Sequence, residues 1–396
     1  MRYVSTRGEA EPVDFTGALI NGLAQDGGLY LPEAIPSLPN GWQSWTYPEA
    51  VSNALQMFGA ADTDSLVKEA ASRFEHDDVA PIVEVGDNLV LELFWGPTLS
   101  FKDHALQVLA RLLDREVDHG VVLGATSGDT GSAAIEACRG RESLKVVILY
   151  PDGRVSDFQR KQMTTVPDRN TQAVAVRGTF DDCQRMVKEA FSAHDHLLAI
   201  NSINWTRVAA QAGFHLHAAA RMRGPYEIVV PTGNFGNVYS AWIAKQMGAP
   251  IETITIANNA NHGLSDLVNT GRMIRTDVLP TLAPAMDIQV PSNLERFTGE
   301  PTSEFRASWS SDAQITQTIA DVDRAHRYRL DPHTATAWRA AQETRGELPQ
   351  LVVATAHPAK FDDDVAPPDW FPSMSGLEER QVTIDPSTSE LEHLLR

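Results

Sequence analysis

The sequence predicts an α/β protein with a parallel-sheet core, because short runs of Val, Ile and Leu alternate with stretches of helical periodicity. Strands that are apolar on both faces are typical of parallel sheets covered by helices. The strands are predicted at residues 89–94, 121–124, 146–149, 173–176, 197–200, 228–230, 254–256 and 351–353, and helices between them at 101–116, 180–193, 205–222 and 238–247. Ligands bind beyond the carboxyl ends of such strands, so each strand-to-helix turn is a candidate for chemistry.

Differences in composition and periodicity along the chain predict three regions. Residues 1–78 carry helical patterns at 15–25 and 48–58 with a Gly- and Pro-rich stretch between them, which indicates a small, mostly helical N-terminal domain. Residues 79–365 contain the alternation of strands and helices. Residues 366–396 are predicted to be a C-terminal tail, and the acidic run just before it favours a solvated loop.

Composition excludes several classes of function. A formal net charge of −19 argues against binding to nucleic acid, which needs a concentrated basic face. The two cysteines, Cys138 and Cys183, form neither a disulfide framework nor a metal quartet, and we expect buried thiols and no metal. The first ten residues are polar and no apolar run of about 18 residues occurs, so we expect a cytoplasmic protein with no membrane partner.

Lys102 follows the strand predicted at 89–94 and lies at the start of a predicted helix. The partial positive charge of a helix N-terminus and the apolar neighbours Leu99 and Phe101 disfavour the ammonium form and favour a nucleophilic amine. The alternative is a surface lysine that only starts a helix. Taken alone, Lys102 favours the surface lysine, because perturbed lysines are the exception.

Three further turns are suited to anions. Residues 125–132, Ala-Thr-Ser-Gly-Asp-Thr-Gly-Ser, bring hydroxyls and free helix N–H groups to one strand end, although one hydroxyl would suffice for simple helix capping. Residues 231–237, Pro-Thr-Gly-Asn-Phe-Gly-Asn, let backbone amides approach a phosphate, and their glycine spacing excludes a dinucleotide fingerprint. Residues 201–207 add two amides, a hydroxyl and Arg207 at a third helix start.

Together these segments resemble threonine synthase, a family of fold type II pyridoxal-phosphate enzymes. Residues 3–8, Tyr-Val-Ser-Thr-Arg-Gly, and 22–30, Gly-Leu-Ala-Gln-Asp-Gly-Gly-Leu-Tyr, are characteristic of this family rather than of the wider fold. Residues 355–361, Thr-Ala-His-Pro-Ala-Lys-Phe, extend the resemblance towards the far end. It implies a core like that of tryptophan synthase β, with a smaller mobile subdomain at roughly residues 103–215.

The resemblance also implies a cofactor, pyridoxal 5′-phosphate, and a role for each turn. Lys102 would hold the cofactor as a Schiff base and transfer protons, Asp129 would lie near the 3′-oxygen of the pyridine, and Thr355 would face the ring nitrogen. The residues implied to bind the cofactor phosphate are Gly233, Asn234, Phe235, Gly236 and Asn237. Those implied to bind the substrate carboxylate are Thr126, Ser127 and Thr130, and those implied to bind the substrate phosphate are Asn201, Ser202 and Arg207.

The implied activity is that of a lyase. Phosphate would be eliminated from Cγ of O-phospho-L-homoserine, and water would add at Cβ to give L-threonine. Two alternatives remain open: a related lyase for another amino acid with a β or γ leaving group, and a non-catalytic homologue that binds a phosphorylated ligand. The 201–207 turn argues against a carboxylate-only substrate, and Lys102 argues against a non-catalytic protein. We expect a small phosphorylated amino acid as the ligand and a monomer or homodimer.

Two positions depart from the family pattern, and both are expected to affect packing or the pocket walls. His104 occupies a position after the lysine where relatives often carry an apolar or aromatic residue. Residues 211–216 lack the tyrosine pair expected in this helix.

Overall fold

The computed structural model describes residues 1–194, 196–297 and 299–395. The strands are β1 (Tyr3–Ser5), β2 (Tyr30–Pro32), β3 (Ile82–Val85), β4 (Asn88–Glu92), β5 (Gly120–Ala125), β6 (Leu144–Pro151), β7 (Thr171–Val176), β8 (Leu197–Ala199), β9 (Tyr226–Pro231), β10 (Ile251–Asn258), β11 (Phe305–Trp309), β12 (Gln350–Ala354) and β13 (Gln381–Ile384). The helices are α1 (Phe15–Asn21), α2 (Tyr47–Met57), α3 (Asp64–Ala71), α4 (Lys102–Glu116), α5 (Asp129–Cys138), α6 (Asp157–Thr164), α7 (Phe180–Ala193), α8 (Trp205–Arg221), α9 (Gly236–Met247), α10 (Gly263–Thr270), α11 (Pro301–Glu304), α12 (Asp312–His326), α13 (Pro332–Glu343) and α14 (Thr388–Leu395).

Two sheets carry the fold. The larger has the strand order β11-β10-β9-β12-β4-β3 and is parallel except for β3, which pairs antiparallel with β4. The smaller has the order β13-β7-β6-β5-β8 and is parallel throughout. In each sheet the turns after neighbouring strands meet at one edge, which brings the predicted sites together.

The eight strands predicted from the sequence are confirmed, and the helix predicted at 180–193 has the bounds of α7. Between the predicted strands at 254–256 and 351–353 no element was predicted, yet the structure contains β11 and four helices there, α10 to α13. Helix α12 begins at a capping box in which Ser311 Oγ accepts from the backbone of Gln314. This capping box was a local signal for a helix start that the sequence analysis did not use.

The prediction of a loop-like tail is wrong for residues 381–384 and 388–395. Strand β13 pairs in parallel with β7, and α14 packs on α7. Leu391 is fully buried in a cluster with Val174 of β7 and Met186 of α7. The sequence analysis overlooked a short β-branched run, Val382-Thr383-Ile384, because it follows an acidic and proline-rich stretch. This run forms the edge strand of the smaller sheet.

The N-terminal region packs on α4 and α8. Helix α2 lies along α8, and Tyr3 of β1 packs against Trp205, the first residue of α8. His104 fills this interface: its Nε2 donates to the Leu93 carbonyl at 3.2 Å, so its Nδ1 accepts from the Tyr47 hydroxyl at 2.6 Å. Burial lowers the pKa of His104 to about 3. The departure from the family pattern is therefore a neutral packing residue.

Both cysteines are buried, as predicted, and burial raises the pKa of the Cys138 and Cys183 thiols to about 12. Among the residues that the structure describes, no helix combines the length and apolar character needed to cross a bilayer.

The packing of the tail predicts that it stabilises the smaller sheet. Leu391→Ala removes a fully buried side chain and should lower the free energy of unfolding by about 2–5 kcal/mol. Leu377→Ala, at a side chain that is 52% exposed, is the matched control and should change it by less than about 0.5 kcal/mol. Urea unfolding of both variants measures the difference. Equal stabilities would mean that the tail does not support the sheet.

Candidate active site

The two sheets meet at an ion pair between Lys102 and Asp129. Lys102 is the first residue of α4, after β4 of the larger sheet, and Asp129 is the first residue of α5, after β5 of the smaller sheet. Lys102 Nζ lies 3.1 Å from Asp129 Oδ2, and the residues are 9% and 5% exposed. A buried amine thus lies where the carboxyl edges of both sheets converge, as expected for a reactive rather than a surface lysine.

The surroundings make it easier for Lys102 to lose its proton. Burial lowers the pKa of Lys102 below its ordinary value, the charge of Asp129 opposes this, and the cations Lys360 and Arg207 add to the lowering. Burial alone would raise the pKa of Asp129, but Lys102 and Lys360 hold it well below its usual range. The aspartate stays ionised while the lysine is able to lose its proton.

The turn between β9 and α9 is an anion cradle. Among the described residues, the backbone N–H groups of residues 233–236 have no acceptor, and they precede the positive end of α9. Asn237 is 5% exposed, and its Nδ2 is buried without a partner while its Oδ1 accepts from His215 Nε2 at 2.8 Å. An anion at this turn would satisfy donors that the protein leaves free.

Two residues of this turn shape its backbone. Phe235 is fully buried against Phe297 and Phe305 and has φ 63, a left-handed conformation rare for a bulky residue. A Cβ at Gly233 would lie 2.8 Å from the Ala285 carbonyl oxygen, so close packing alone requires glycine there. The Phe235 side chain anchors the turn, and only its backbone is available to a ligand.

The turn between β5 and α5 divides its hydroxyls between two tasks. Thr126 Oγ1 accepts from the backbone of Gly128 at 2.9 Å and of Gly131 at 2.8 Å, so Thr126 caps the helix. The hydroxyls of Ser127 and Thr130 have no partner within the described residues, and both residues are half-buried. The capping alternative holds for Thr126, and Ser127 and Thr130 are the free donors.

Arg207 is a buried cation with no carboxylate among the described residues. It is 2% exposed; its Nη1 donates to the Ile200 carbonyl at 3.3 Å, and its Nε has no partner. Burial lowers the pKa of Arg207 to about 10. The half-buried side chains of Asn201 and Ser202, on the same turn, are also without partners in the described part of the chain. An unpaired buried guanidinium calls for an anionic ligand.

Arg296 shows what a structural arginine looks like in this fold. It is also buried, but its guanidinium donates to the carbonyl of Tyr30 at 3.1 Å and to Asn293 Oδ1 and the carbonyl of Ile203. Burial lowers the pKa of Arg296 to about 10 as well. The difference from Arg207 therefore lies in the missing partners and not in burial.

Thr355 follows β12, the strand between β9 and β4, so it lies between the anion cradle after β9 and Lys102 after β4. Its carbonyl accepts from the backbone of Phe101 at 2.8 Å, and its hydroxyl has no partner among the described residues. Thr355 is 5% exposed, so solvent has little access to its free hydroxyl.

The sequence analysis missed two residues that contact Asp129. Gln159 Nε2 donates to Asp129 Oδ1 at 2.8 Å, and Lys360 Nζ lies 3.1 Å from the same oxygen. Lys360 lies in the 355–361 segment, directly after β12. Because β12 neighbours β4, the strand that leads to Lys102, this position was the available signal. Gln159 belongs to the capping box that begins α6 at Ser156, a pattern that indicates a helix start and not a contact with Asp129.

Two histidines near this edge, His333 and His357, have structural partners. His333 Nδ1 lies 2.8 Å from Asp331 Oδ1, and its Nε2 accepts from the backbone of Ala285 at 3.2 Å. His357 Nδ1 accepts from the backbone of Ala359 at 3.2 Å, and burial lowers the pKa of His357 to about 4. Both histidines are therefore held by neighbouring protein groups.

Comparisons with known proteins agree with this geometry. The chain matches the family models for pyridoxal-phosphate dependent enzymes over residues 85–358 and for the threonine synthase N terminus over residues 2–70. It is 41% identical to threonine synthase of Pseudomonas aeruginosa, over 92% of this chain and 90% of that protein. The PLP-bound threonine synthase of Brucella melitensis superposes with a TM-score of 0.94 at 37% identity, covering 100% of this chain and 98% of the other. The yeast threonine synthase gives 0.91 at 32%, covering 99% and 97%.

Proposed function

The chain belongs to the threonine synthase family of pyridoxal-phosphate enzymes, and from this premise we propose that it converts O-phospho-L-homoserine and water into L-threonine and phosphate. The observation that carries the choice of substrate is Arg207, a buried guanidinium with no carboxylate partner in the described chain, close enough to lower the pKa of Lys102. A phosphorylated amino acid supplies the missing anion beside the reactive amine.

The residues present fit pyridoxal phosphate. The free N–H groups of residues 233–236 and Asn237 Nδ2 would hold its phosphate, Lys102 would hold its aldehyde carbon, and the free hydroxyl of Thr355 would meet the ring nitrogen. When bound, the cofactor supplies the electron sink that stabilises negative charge at Cα of the substrate. A hydroxyl partner, unlike an aspartate, does not enforce a protonated ring and so restrains competing reactions.

Lys102 is the base in this proposal. Its lowered pKa lets the free amine take the proton from Cα and then assist at Cβ. Ser127 and Thr130 would hold the substrate carboxylate with their free hydroxyls, and Thr126 would contribute through the helix N-terminus that it caps. Arg207, Asn201 and Ser202 would hold the phosphate that leaves from Cγ, which keeps it near Cβ when water adds there.

The smaller sheet is the candidate for the moving part. We propose a division into residues 1–78, 79–365 and 366–396, with a mobile subdomain at roughly 103–215 that closes over the substrate and excludes water until the last step. Because β13 and α14 pack on this sheet, the moving unit would include them.

The cofactor assignment predicts a yellow protein. Borohydride should bleach the visible absorbance and fix the cofactor mass on the peptide that contains Lys102, because reduction traps the amine link. Lys102→Ala should bind the cofactor without that link and lose activity by a factor of about 10³ or more. Absorbance spectra and peptide mass spectrometry measure both results. A colourless protein that ignores added pyridoxal phosphate would exclude the proposed function.

The substrate assignment predicts separate effects of the two anion sites. Arg207→Met keeps most of the side-chain volume and should raise KM for O-phospho-L-homoserine by about 10- to 100-fold, because a charge-assisted hydrogen bond is lost. The bound cofactor and its colour should stay. Release of phosphate and threonine measures the first effect, and absorbance measures the second.

Arg223→Ala is the matched control, because it removes an exposed arginine beyond the other end of α8. It should leave KM and colour unchanged. If Arg207→Met instead lost the cofactor, the assignment of the two anion sites would be reversed.

A further inference from the structure

Lys360 is a second buried lysine at the active-site aspartate. We propose that it is a positioning residue, the permanent counter-ion of Asp129, which keeps this carboxylate ionised and oriented when Lys102 is engaged elsewhere. The inference rests on the proposed function, in which Lys102 changes its charge during each turnover.

Lys360 is held in one position by two hydrogen bonds and one ion pair. It is 1% exposed, its Nζ donates to the Thr98 carbonyl at 2.6 Å and to Gln162 Oε1 at 2.8 Å, and Nζ lies 3.1 Å from Asp129 Oδ1. These three partners match the three hydrogens of an ammonium group. This side chain is not free to swing towards a substrate, which argues for a fixed charge and against a second nucleophile.

The two oxygens of Asp129 have different partners. Oδ2 accepts from Lys102 Nζ, whereas Oδ1 accepts from Gln159 Nε2 at 2.8 Å and faces Lys360 Nζ. When Lys102 leaves Oδ2, Asp129 therefore keeps its orientation through Oδ1. One oxygen of Asp129 therefore contacts the lysine whose charge changes, and the other contacts Gln159 and Lys360, whose charges do not change.

The reaction makes a second cation necessary. Lys102 cannot remain an ammonium paired with Asp129 while it is joined to the cofactor or accepts a proton from the substrate. A buried carboxylate that loses its counter-ion is destabilised by several kcal/mol or takes up a proton. Lys360 lies on the turn after β12 and takes no part in either event, so its charge can stay throughout turnover.

Other charged and titratable groups face this pair from the surrounding elements. The charges of Lys102 on α4 and of His333 on α13 act to lower the pKa of Asp129. The charge of Lys360 acts to lower the pKa of Asp103 on α4 and of His357 on its own turn. Asp103 is not an ion-pair partner of Lys360, since its oxygens accept from the Thr98 backbone at 2.8 Å and hydroxyl at 2.7 Å. Of the carboxylates in the described chain, Asp129 is the one within ion-pair distance of Lys360.

The test compares Lys360→Met, Asp129→Asn and the double variant as cofactor-bound proteins. Lys360→Met removes a positive charge, so the midpoint of the pH-dependent change in visible absorbance should move to higher pH by about one unit or more. The value of kcat should fall about tenfold or more with little change in KM, since Lys360 does not touch the substrate.

Stability distinguishes the ion pair from general packing. Each single change leaves one buried charge without its partner, so the double variant should be more stable than the sum of the two losses predicts. If Lys360→Met is too unstable to purify, recovery of soluble protein in the double variant supports the pairing. Lys245→Met is the control, because this half-buried lysine at the end of α9 lies outside the proposed site and its Nζ donates to the Glu252 carbonyl.

Two results would overturn the proposal. An absorbance midpoint in Lys360→Met equal to that of the unchanged protein would mean that Lys360 is a packing residue, and additive losses in the double variant would mean that the pair is not coupled. A colourless, inactive unchanged protein would instead reject the proposed function. A coloured, active protein with an unaltered Lys360→Met profile would reject the counter-ion role alone.

Discussion

The fold is arranged around the contact of Lys102 with Asp129, in which a cation from one sheet and an anion from the other are removed from water together. Neither charge is tolerated alone at this depth, so the two carboxyl edges must stay close for the site to exist. The turn at residues 231–237 follows β9 and Lys102 follows β4, so both lie at the carboxyl edge of the larger sheet. Arg207 lies close enough to the amine to lower the pKa of Lys102.

Local charge explains how a protein with a net charge of −19 attracts a doubly anionic substrate. Three buried basic side chains, Lys102, Lys360 and Arg207, lie close together, and the ionised Asp129 pairs with the two lysines. Burial raises the pKa of nearby Asp103 to about 7, so this acid is partly protonated near neutral pH. The site therefore carries an excess of positive charge, whereas most of the acidic residues lie on the surface, where salt screens them.

The sequence predicted what depends on local pattern. Strand runs, helix starts and the turns after them follow from the periodicity of apolar residues, and parallel strands then bring Lys102, Thr355 and the 231–237 turn to one edge. Contacts between the sheets could not be predicted in this way. Gln159 and Lys360 reach Asp129 from distant parts of the chain, and β13 joins the smaller sheet after a long irregular stretch. The lack of a carboxylate partner for Arg207 could not be predicted either, because it depends on which side chains the fold brings near the guanidinium.

The boundary between the sheets also constrains how the site can move. Lys360 follows a strand of the larger sheet, yet it contacts Asp129 and Gln162, which belong to helices of the smaller one. Gln162 Nε2 in turn donates to the Thr98 carbonyl at 3.1 Å, on the larger side. Any opening of the smaller sheet that separates these groups leaves buried charges without partners. The closure that we propose would therefore be favoured by electrostatics at the same contact that keeps Asp129 ionised, and it would have to pivot about that contact.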